Sequence, residues 1–375
     1  KAVDYEKKSV PGSTDEVDVI FKVEEQYSGS IGGSLGYGAY GFSLGANYSE
    51  KNAFGTGNSV SVGINYSEWR QDISFNFFDP YFTIDGIGLG YGAFYRKTDY
   101  GNFNIAAYNT DSYGGNVSFQ LPISEIEQLS LSLSTDNTQL KTNVYSSRQL
   151  QDFYNSEGFD FNTYSGSVSW ARITLDRGLF PTNGSSNTIS LSLTLPGSNL
   201  NYGRFVHDFK IFRPLPLNLT LGYRSQIGIL FAYDDTNTAP PYQHFYAGGM
   251  RSVRGFKQNY LGPKAEYQSG YDPRYQRPVG GPYSITGGLD LIIPLDFVPD
   301  PRSLRGSVFL DYGNVFSDGC QSYETNCYEF DLSELRYSIG IGVTWITALG
   351  PLSFALASVF NDSPNDRTET FQFEI

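Results

Sequence analysis

The segment "LRYSIGIGVTW", Leu335 to Trp345, alternates without a break. Leu335, Tyr337, Ile339, Ile341, Val343 and Trp345 fall on one side of an extended chain, and Arg336, Ser338, Gly340, Gly342 and Thr344 on the other. Successive side chains of a strand point to opposite faces, so this spacing predicts a strand with one apolar face and one small, polar face. The pattern recurs upstream. "NSVSVGINYS" sets Val60, Val62, Ile64 and Tyr66 against Ser61, Gly63 and Asn65. "LSLSLSTD" sets Leu129, Leu131 and Leu133 against serines, and "ISLSLTLP" does the same from Ile189 to Leu195. "LTLGYRSQIGILF" sets Leu219, Leu221, Tyr223, Ile227, Ile229 and Phe231 against Thr220, Gly222, Arg224, Gln226 and Gly228.

Sixteen such segments can be counted, near residues 29–37, 41–50, 58–68, 70–80, 86–98, 110–121, 128–140, 161–175, 186–196, 202–213, 217–232, 283–294, 304–316, 334–346, 350–360 and 368–375. A soluble β-sandwich also alternates, but with shorter strands and a chain usually divided into domains of 100–250 residues. A transmembrane barrel uses segments of roughly ten residues, apolar outward and polar inward, edged with aromatic side chains. Tyr and Phe crowd the segment ends here, as in "FNFFDPYF". The expected fold is therefore all-β: a 16-stranded antiparallel transmembrane barrel, with an even strand count and no free edge facing lipid.

The connections divide in the same way. "DPYF", "LPIS", "PTNG", "RPLP" and "ALGP" are short turns, whereas 142–159, 233–282 and 317–333 are long. In such barrels short turns lie at the periplasmic rim and long loops at the outer one. "SSRQLQDFYNSEGF" in the first long connection is equally compatible with a short helix or a solvated loop. Before the first segment, "STDEVDVIFKVEEQ" alternates Val17, Val19, Phe21 and Val23 with charged residues, as in a soluble strand with one wet face. It reads as the tail of a small periplasmic domain.

Composition agrees with that reading. Of 375 residues, 16% are aromatic and 17% charged, and the mean hydropathy is −0.32. Soluble domains carry about 25% charged residues. The opening "KAVDYEKKSV" is polar and lacks a signal peptide, so an exported protein with this sequence is a mature fragment. The formal net charge of −13 argues against a nucleic-acid partner, which calls for a basic patch. Cys320 and Cys327, close together in "CQSYETNC", are expected to form a loop disulfide in an oxidising compartment; two unpaired thiols are the alternative. A zinc site would need further ligands nearby, so neither a metal nor any other cofactor is expected.

A sixteen-strand pattern preceded by "VDVIFKVEE" and carrying "YAGGMRSVRGF" in its sixth outer connection resembles the BamA family, the barrel assembly factors of the Gram-negative outer membrane. "LGPKAEY", "LDRGLFPTNGS" and the terminal "FQFEI" extend the likeness over the whole chain. The resemblance implies that residues 1–26 end the last periplasmic POTRA domain and that 27–375 form the barrel. It implies that loop 233–282 folds into the lumen and seats Val253, Arg254, Gly255 and Phe256 there, the arginine against wall carboxylates. The implied partners are outer-membrane lipids, unfolded client barrels and periplasmic accessory lipoproteins. Members of the family usually end a few residues further on with an aromatic residue, so the last strand here is expected to be trimmed.

The residues speak to the same points independently. An arginine in a lumen needs a carboxylate to offset its lost hydration. In "YSITGGLDLIIP", Ser284, Thr286, Gly288 and Asp290 share the polar face, and in "RGSVFLDYGNVF", Ser307, Phe309 and Asp311 do. Asp290 and Asp311 are thus the expected partners of Arg254; the alternative is a solvated outer-loop arginine, with the two aspartates only lining a wet channel. At the seam, the first segment, "SGSIGGSLGYG", contains Gly29, Gly32, Gly33 and Gly36, and the last, with Phe371 and Phe373, is short. Glycine in a strand costs entropy and packs nothing, so this first–last pairing is expected to be the weakest ladder of the wall. An edge that opens there offers N–H and C=O groups to an incoming strand. The alternative is that the glycines only let the wall bend or pack closely. No enzyme chemistry is expected: His207 and His244 are the only histidines and lack triad spacing, and Asp234–Asp235 reads as a solvated loop. The competing functions are a two-partner-secretion transporter, which shares the loop motif, and a passive porin.

Overall fold

The computed structural model describes residues 3–12, 16–23, 27–38, 41–103, 105–143, 146–267, 276–295, 303–324, 327–347 and 350–374. Two strands, β1 (Val3–Ser9) and β2 (Val17–Val23), form a separate antiparallel hairpin in which Tyr5 faces Phe21. Tyr5, Val17, Val19 and Phe21 are all exposed on it. The assignment of residues 1–26 to a POTRA domain still rests on the resemblance alone, and 24–26 lie outside the described residues.

The rest is one sheet of sixteen strands: β3 (Gly29–Gly38), β4 (Gly41–Glu50), β5 (Ser59–Ser67), β6 (Arg70–Asp79), β7 (Gly88–Asp99), β8 (Asn109–Ser124), β9 (Glu127–Lys141), β10 (Asp160–Ile173), β11 (Gly184–Thr194), β12 (Tyr202–Pro214), β13 (Thr220–Ala232), β14 (Tyr283–Pro294), β15 (Leu304–Phe316), β16 (Arg336–Thr347), β17 (Gly350–Phe360) and β18 (Phe371–Glu374). Each strand pairs antiparallel with the next in sequence, so the wall is a simple meander. The two faces are inverted relative to a soluble sheet. On β15, Val308 and Leu310 are 40% and 42% exposed, while Phe309 and Asp311 between them are 1% and 0% exposed. Thr138, Ser284, Thr286 and Ser338 are buried inside; Leu131, Leu133, Leu191 and Ile341 are exposed outside. A closed wall of this kind satisfies its backbone within the sheet and turns its aliphatic side chains to lipid.

Three long connections build a dome at one rim. One contains helix α1 (Arg148–Glu157), capped by Ser147, whose side chain accepts the Leu150 N–H at 3.3 Å. Leu150 and Phe153 pack with Ile105, Phe161, Leu230 and Phe245 beneath it. Cys320 and Cys327 are joined, with Cα atoms 5.7 Å apart. The small ring they close presents Tyr323, whose hydroxyl donates to Asp152 at 2.7 Å, and Glu324, which accepts from the Gln149 amide at 3.0 Å. The same Gln149 reaches the third connection, donating to the Lys264 carbonyl and accepting the Glu266 N–H, both at 3.0 Å.

Among the described residues the wall is incomplete at one place. β18 has four residues and pairs with β17 only over Ser353–Leu356. Among the described residues no ladder joins β18 to β3. The two meet through stacked rings, Tyr37 and Phe373, with centroids 6.0 Å apart. The sequence pattern had placed the last strand from residue 368. The structure starts it at Phe371 because Thr368 bridges to Phe256 of the long loop instead.

Candidate functional site: a lumen latch beside an unpaired seam

The connection between β13 and β14 runs back inside the barrel. Val253 and Phe256 are fully buried with Ala247, Leu261 and Val315, which fixes the segment between them. Arg254 lies in that segment. Its backbone N–H donates to Asp311 Oδ2 at 3.0 Å; its Nε reaches the same oxygen at 2.7 Å, and its Nη2 reaches Asp311 Oδ1 at 2.8 Å. The same Nη2 also donates to Asp290 Oδ1 at 2.8 Å. Beneath, the guanidinium carbon stands 3.5 Å from the Phe309 ring centroid. A planar cation is thus held by two carboxylates and an aromatic face, the arrangement that best suits arginine.

Asp311 has a second cation. Arg224 on β13 donates through Nη2 to Asp311 Oδ1 at 2.8 Å and to the Ser252 carbonyl at 2.7 Å. In register, Arg224 faces Gly288 and Gly288 faces Asp311. A Cβ at Gly288 would lie 2.3 Å from Asp311 Oδ1, so glycine on the middle strand is what lets the outer two side chains meet. The fully buried Asp311 carboxylate therefore takes charge-assisted hydrogen bonds from both arginines, which offset its desolvation.

The opposite side of the latch holds the last strand. Gly255 adopts φ +89°, and a Cβ there would come within 2.9 Å of both Ala357 and Val359. Only glycine combines that backbone with so close an approach to the wall. Its N–H donates to Gln372 Oε1 at 3.0 Å, and Gln372 Nε2 donates to the Phe256 carbonyl at 2.7 Å. Glu369 N–H donates to the Gly255 carbonyl at 2.8 Å, and Lys257 N–H to the Arg367 carbonyl at 2.7 Å. Arg251 Nε donates to Glu374 at 2.7 Å. One loop thus clamps β14 and β15 on one side and the end of the chain on the other. Next to it, at the unpaired edge, opens a cavity of about 880 Å³ lined by Tyr37, Arg251, Phe371 and Glu374.

A second ion cluster ties the loop to β16 and to the connection between β17 and β18. Lys264, fully buried, donates to the Tyr260 and Gly262 carbonyls at 2.6 and 2.8 Å and stands 3.5 Å from Asp366. Asp366 accepts from Arg336 at 2.6 Å. Burial pulls the Lys264 ammonium down to about 8, against the opposing pull of Asp366.

The Omp85 superfamily domain matches residues 52–375. The chain belongs to the Omp85 superfamily. The BamA assembly factor of Neisseria meningitidis is 30% identical over the whole of this chain, which covers 50% of that relative. The solved structure of Haemophilus ducreyi BamA lacking POTRA domains 1–3 superposes with a TM-score of 0.87 at 29% identity, covering 100% of this chain and 75% of that one. CdiB from Acinetobacter baumannii, with a TM-score of 0.55 and 13% identity over 100% of this chain and 65% of that one, shows the shared fold alone. The chain spans about half the length of the curated relatives it matches. This Omp85 member is a barrel of the Gram-negative outer membrane.

The structure brings Val253, Arg254, Gly255, Phe256, Asp290 and Asp311 into one site. It places Gly29, Gly32, Gly33 and Gly36 on β3 opposite β4, and Phe371 and Phe373 on β18 across the seam. Between the two glycine readings the geometry shows close side-chain approach at two positions: a Cβ at Gly32 would meet Asn47 Oδ1 at 2.5 Å, and one at Gly29 would meet Glu50 Oε2 at 2.9 Å. Arg224, Gln372, Arg251 with Glu374, and Lys264 with Asp366 did not emerge from the sequence reading. Gln372 had a signal: it alternates with Phe371 and Phe373, so it points inward.

Proposed function

We propose that this chain is the membrane-embedded part of an outer-membrane barrel assembly factor, folding and inserting client β-barrels through the β3–β18 seam. One observation carries the reading: among the described residues fifteen of the sixteen junctions around the wall are hydrogen-bonded ladders, and the first–last junction is not. An unpaired β3 edge exposes donors and acceptors at the membrane, where lipid cannot satisfy them. An incoming client strand supplies those bonds by β-augmentation, with no nucleotide and no covalent step. The likeness to assembly factors of the superfamily supports the same reading, with lipid, unfolded clients and periplasmic accessory lipoproteins as partners.

A lock across the seam tests it. Tyr37→Cys with Phe373→Cys, oxidised, is expected to stop client folding into liposomes, and reduction to restore it. Client folding at the unlocked rate in the oxidised protein would refute the proposal. A transporter would instead move one substrate through its lumen; the latch and dome loops occupy that space.

A further inference from the structure

The connection between β10 and β11, residues 174–183, joins neighbouring antiparallel strands, for which two residues suffice. It is stiff rather than slack. Thr174 N–H donates to the Ser185 carbonyl at 2.8 Å and Asp176 N–H to the Asn183 carbonyl at 3.1 Å, closing its neck. Asp176 then accepts from the Thr182 hydroxyl at 2.6 Å, from the Thr182 and Asn183 N–H groups at 2.9 and 3.1 Å, and from Arg177 Nε at 3.1 Å. The Thr182 hydroxyl, followed by those N–H groups, holds its carboxyl far below the usual carboxylate range.

The tip of this arm touches a distant part of the wall. Arg305 Nη1 donates to the Pro181 carbonyl at 3.2 Å, Nη2 donates to the Phe180 carbonyl, and the guanidinium lies 4.4 Å from the Phe180 ring centroid. Arg305 is on β15, on the inward alternation with Ser307, Phe309 and Asp311. β15 stands four places along the wall from β11, roughly 20 Å at about 4.8 Å per strand. An inward side chain meets a turn that far round the wall only over the lumen. The arm leaves the rim opposite the dome. Phe180 takes φ +54°, a conformation that costs a bulky residue on the order of 1–3 kcal/mol and persists only where surrounding contacts impose it. Among the described residues no carboxylate lies within ion-pair distance of Arg305; these carbonyls and this ring are its close contacts, with Asp176 of the same arm a more distant favourable charge.

We infer that Arg305 is a positioning residue that pins the 174–183 arm across the mouth of the barrel opposite the dome, so that the lumen is shut at both ends. The pinning stands on geometry alone. Its consequence, that unfolded chains reach the seam rather than the interior, rests on the assembly reading.

The test is conductance of the whole chain in planar bilayers. Arg305→Ala is expected to raise steady conductance several-fold, and Arg305→Lys, which still donates to carbonyls, to stay near the parent level. Heat-modifiable migration reports that each barrel is folded, a readout separate from the arm's position. If Arg305→Ala does not fold, Phe180→Cys with Arg305→Cys replaces it: a short bis-maleimide bridge between them is expected to lower conductance to the parent level. Parent-level conductance in folded Arg305→Ala, or in the unbridged cysteine pair, overturns the inference. That result leaves the assembly reading untouched, whereas client folding through a locked seam sinks the assembly reading and leaves the arm pinned.

Discussion

Arg254 binds Asp311 through its backbone and its side chain at once, at 3.0 Å from the amide and 2.7 and 2.8 Å from the guanidinium. The double attachment fixes both where the loop lies and which way its arginine points. Asp290 adds a single contact and is partly open. The two aspartates are therefore unequal. Asp311→Ala leaves two cations in the lumen without their shared anion and is expected to cost roughly 3–5 kcal/mol. Asp290→Ala is expected to cost clearly less. Limited proteolysis of the loop and urea unfolding in detergent measure both. Arg254→Glu or Asp290→Arg alone is expected to unseat the loop, and the two together to restore part of its protection.

Gln372 is the hinge between latch and seam. It accepts from Gly255 and donates to the Phe256 carbonyl, both buried groups. Gln372→Leu orphans two backbone groups at about 1–3 kcal/mol each. The expected result is a seam that opens more often, seen as slower disulfide formation between cysteines at positions 37 and 373. An unchanged rate would show that the latch does not hold the last strand.

The Cys320–Cys327 ring holds α1 by way of Tyr323 and Glu324. Cys320→Ser with Cys327→Ser is expected to speed amide exchange in Arg148–Glu157 while the strands stay protected. Reductant applied to the parent protein should do the same. Loss of strand protection as well would contradict a role confined to the dome.

Lys264 gives the dome a pH signature. Its proton leaves the folded protein at about 8 but the unfolded chain only near 10.5. Between those values the unfolded state binds the extra proton, so the residue's contribution to stability rises with pH across that window and is flat and lowest below it. The stability of the parent relative to Lys264→Met, from urea unfolding in detergent, is expected to improve from pH 8 to 10. A flat difference would place Lys264 outside the buried cluster formed with Asp366 and Arg336.

The wall was legible because a membrane barrel writes its two faces at period two. Tyr283–Pro294 and Leu304–Phe316 fall at the bounds the alternation marks. The inward aspartates could be named from the same period. What the period does not encode is where a fifty-residue loop travels. The pairing of Lys264 with Asp366, the second cation on Asp311 and the diversion of Thr368 to Phe256 all depend on that path. Phe309, an aromatic among small inward residues, was a readable sign that something planar lies over it. The 174–183 arm read only as a turn, since its partner Arg305 is 125 residues from Phe180.

Amide exchange of β3 in lipid tests the central claim most directly. Alternate N–H groups of Gly29–Gly38 point to β4 and to the seam. The expected result is slow exchange for the first set and fast exchange for the second, with β8 and β9 slow throughout. Uniform protection along β3, equal to that of β8, would mean a wall closed by a full ladder and would contradict the account.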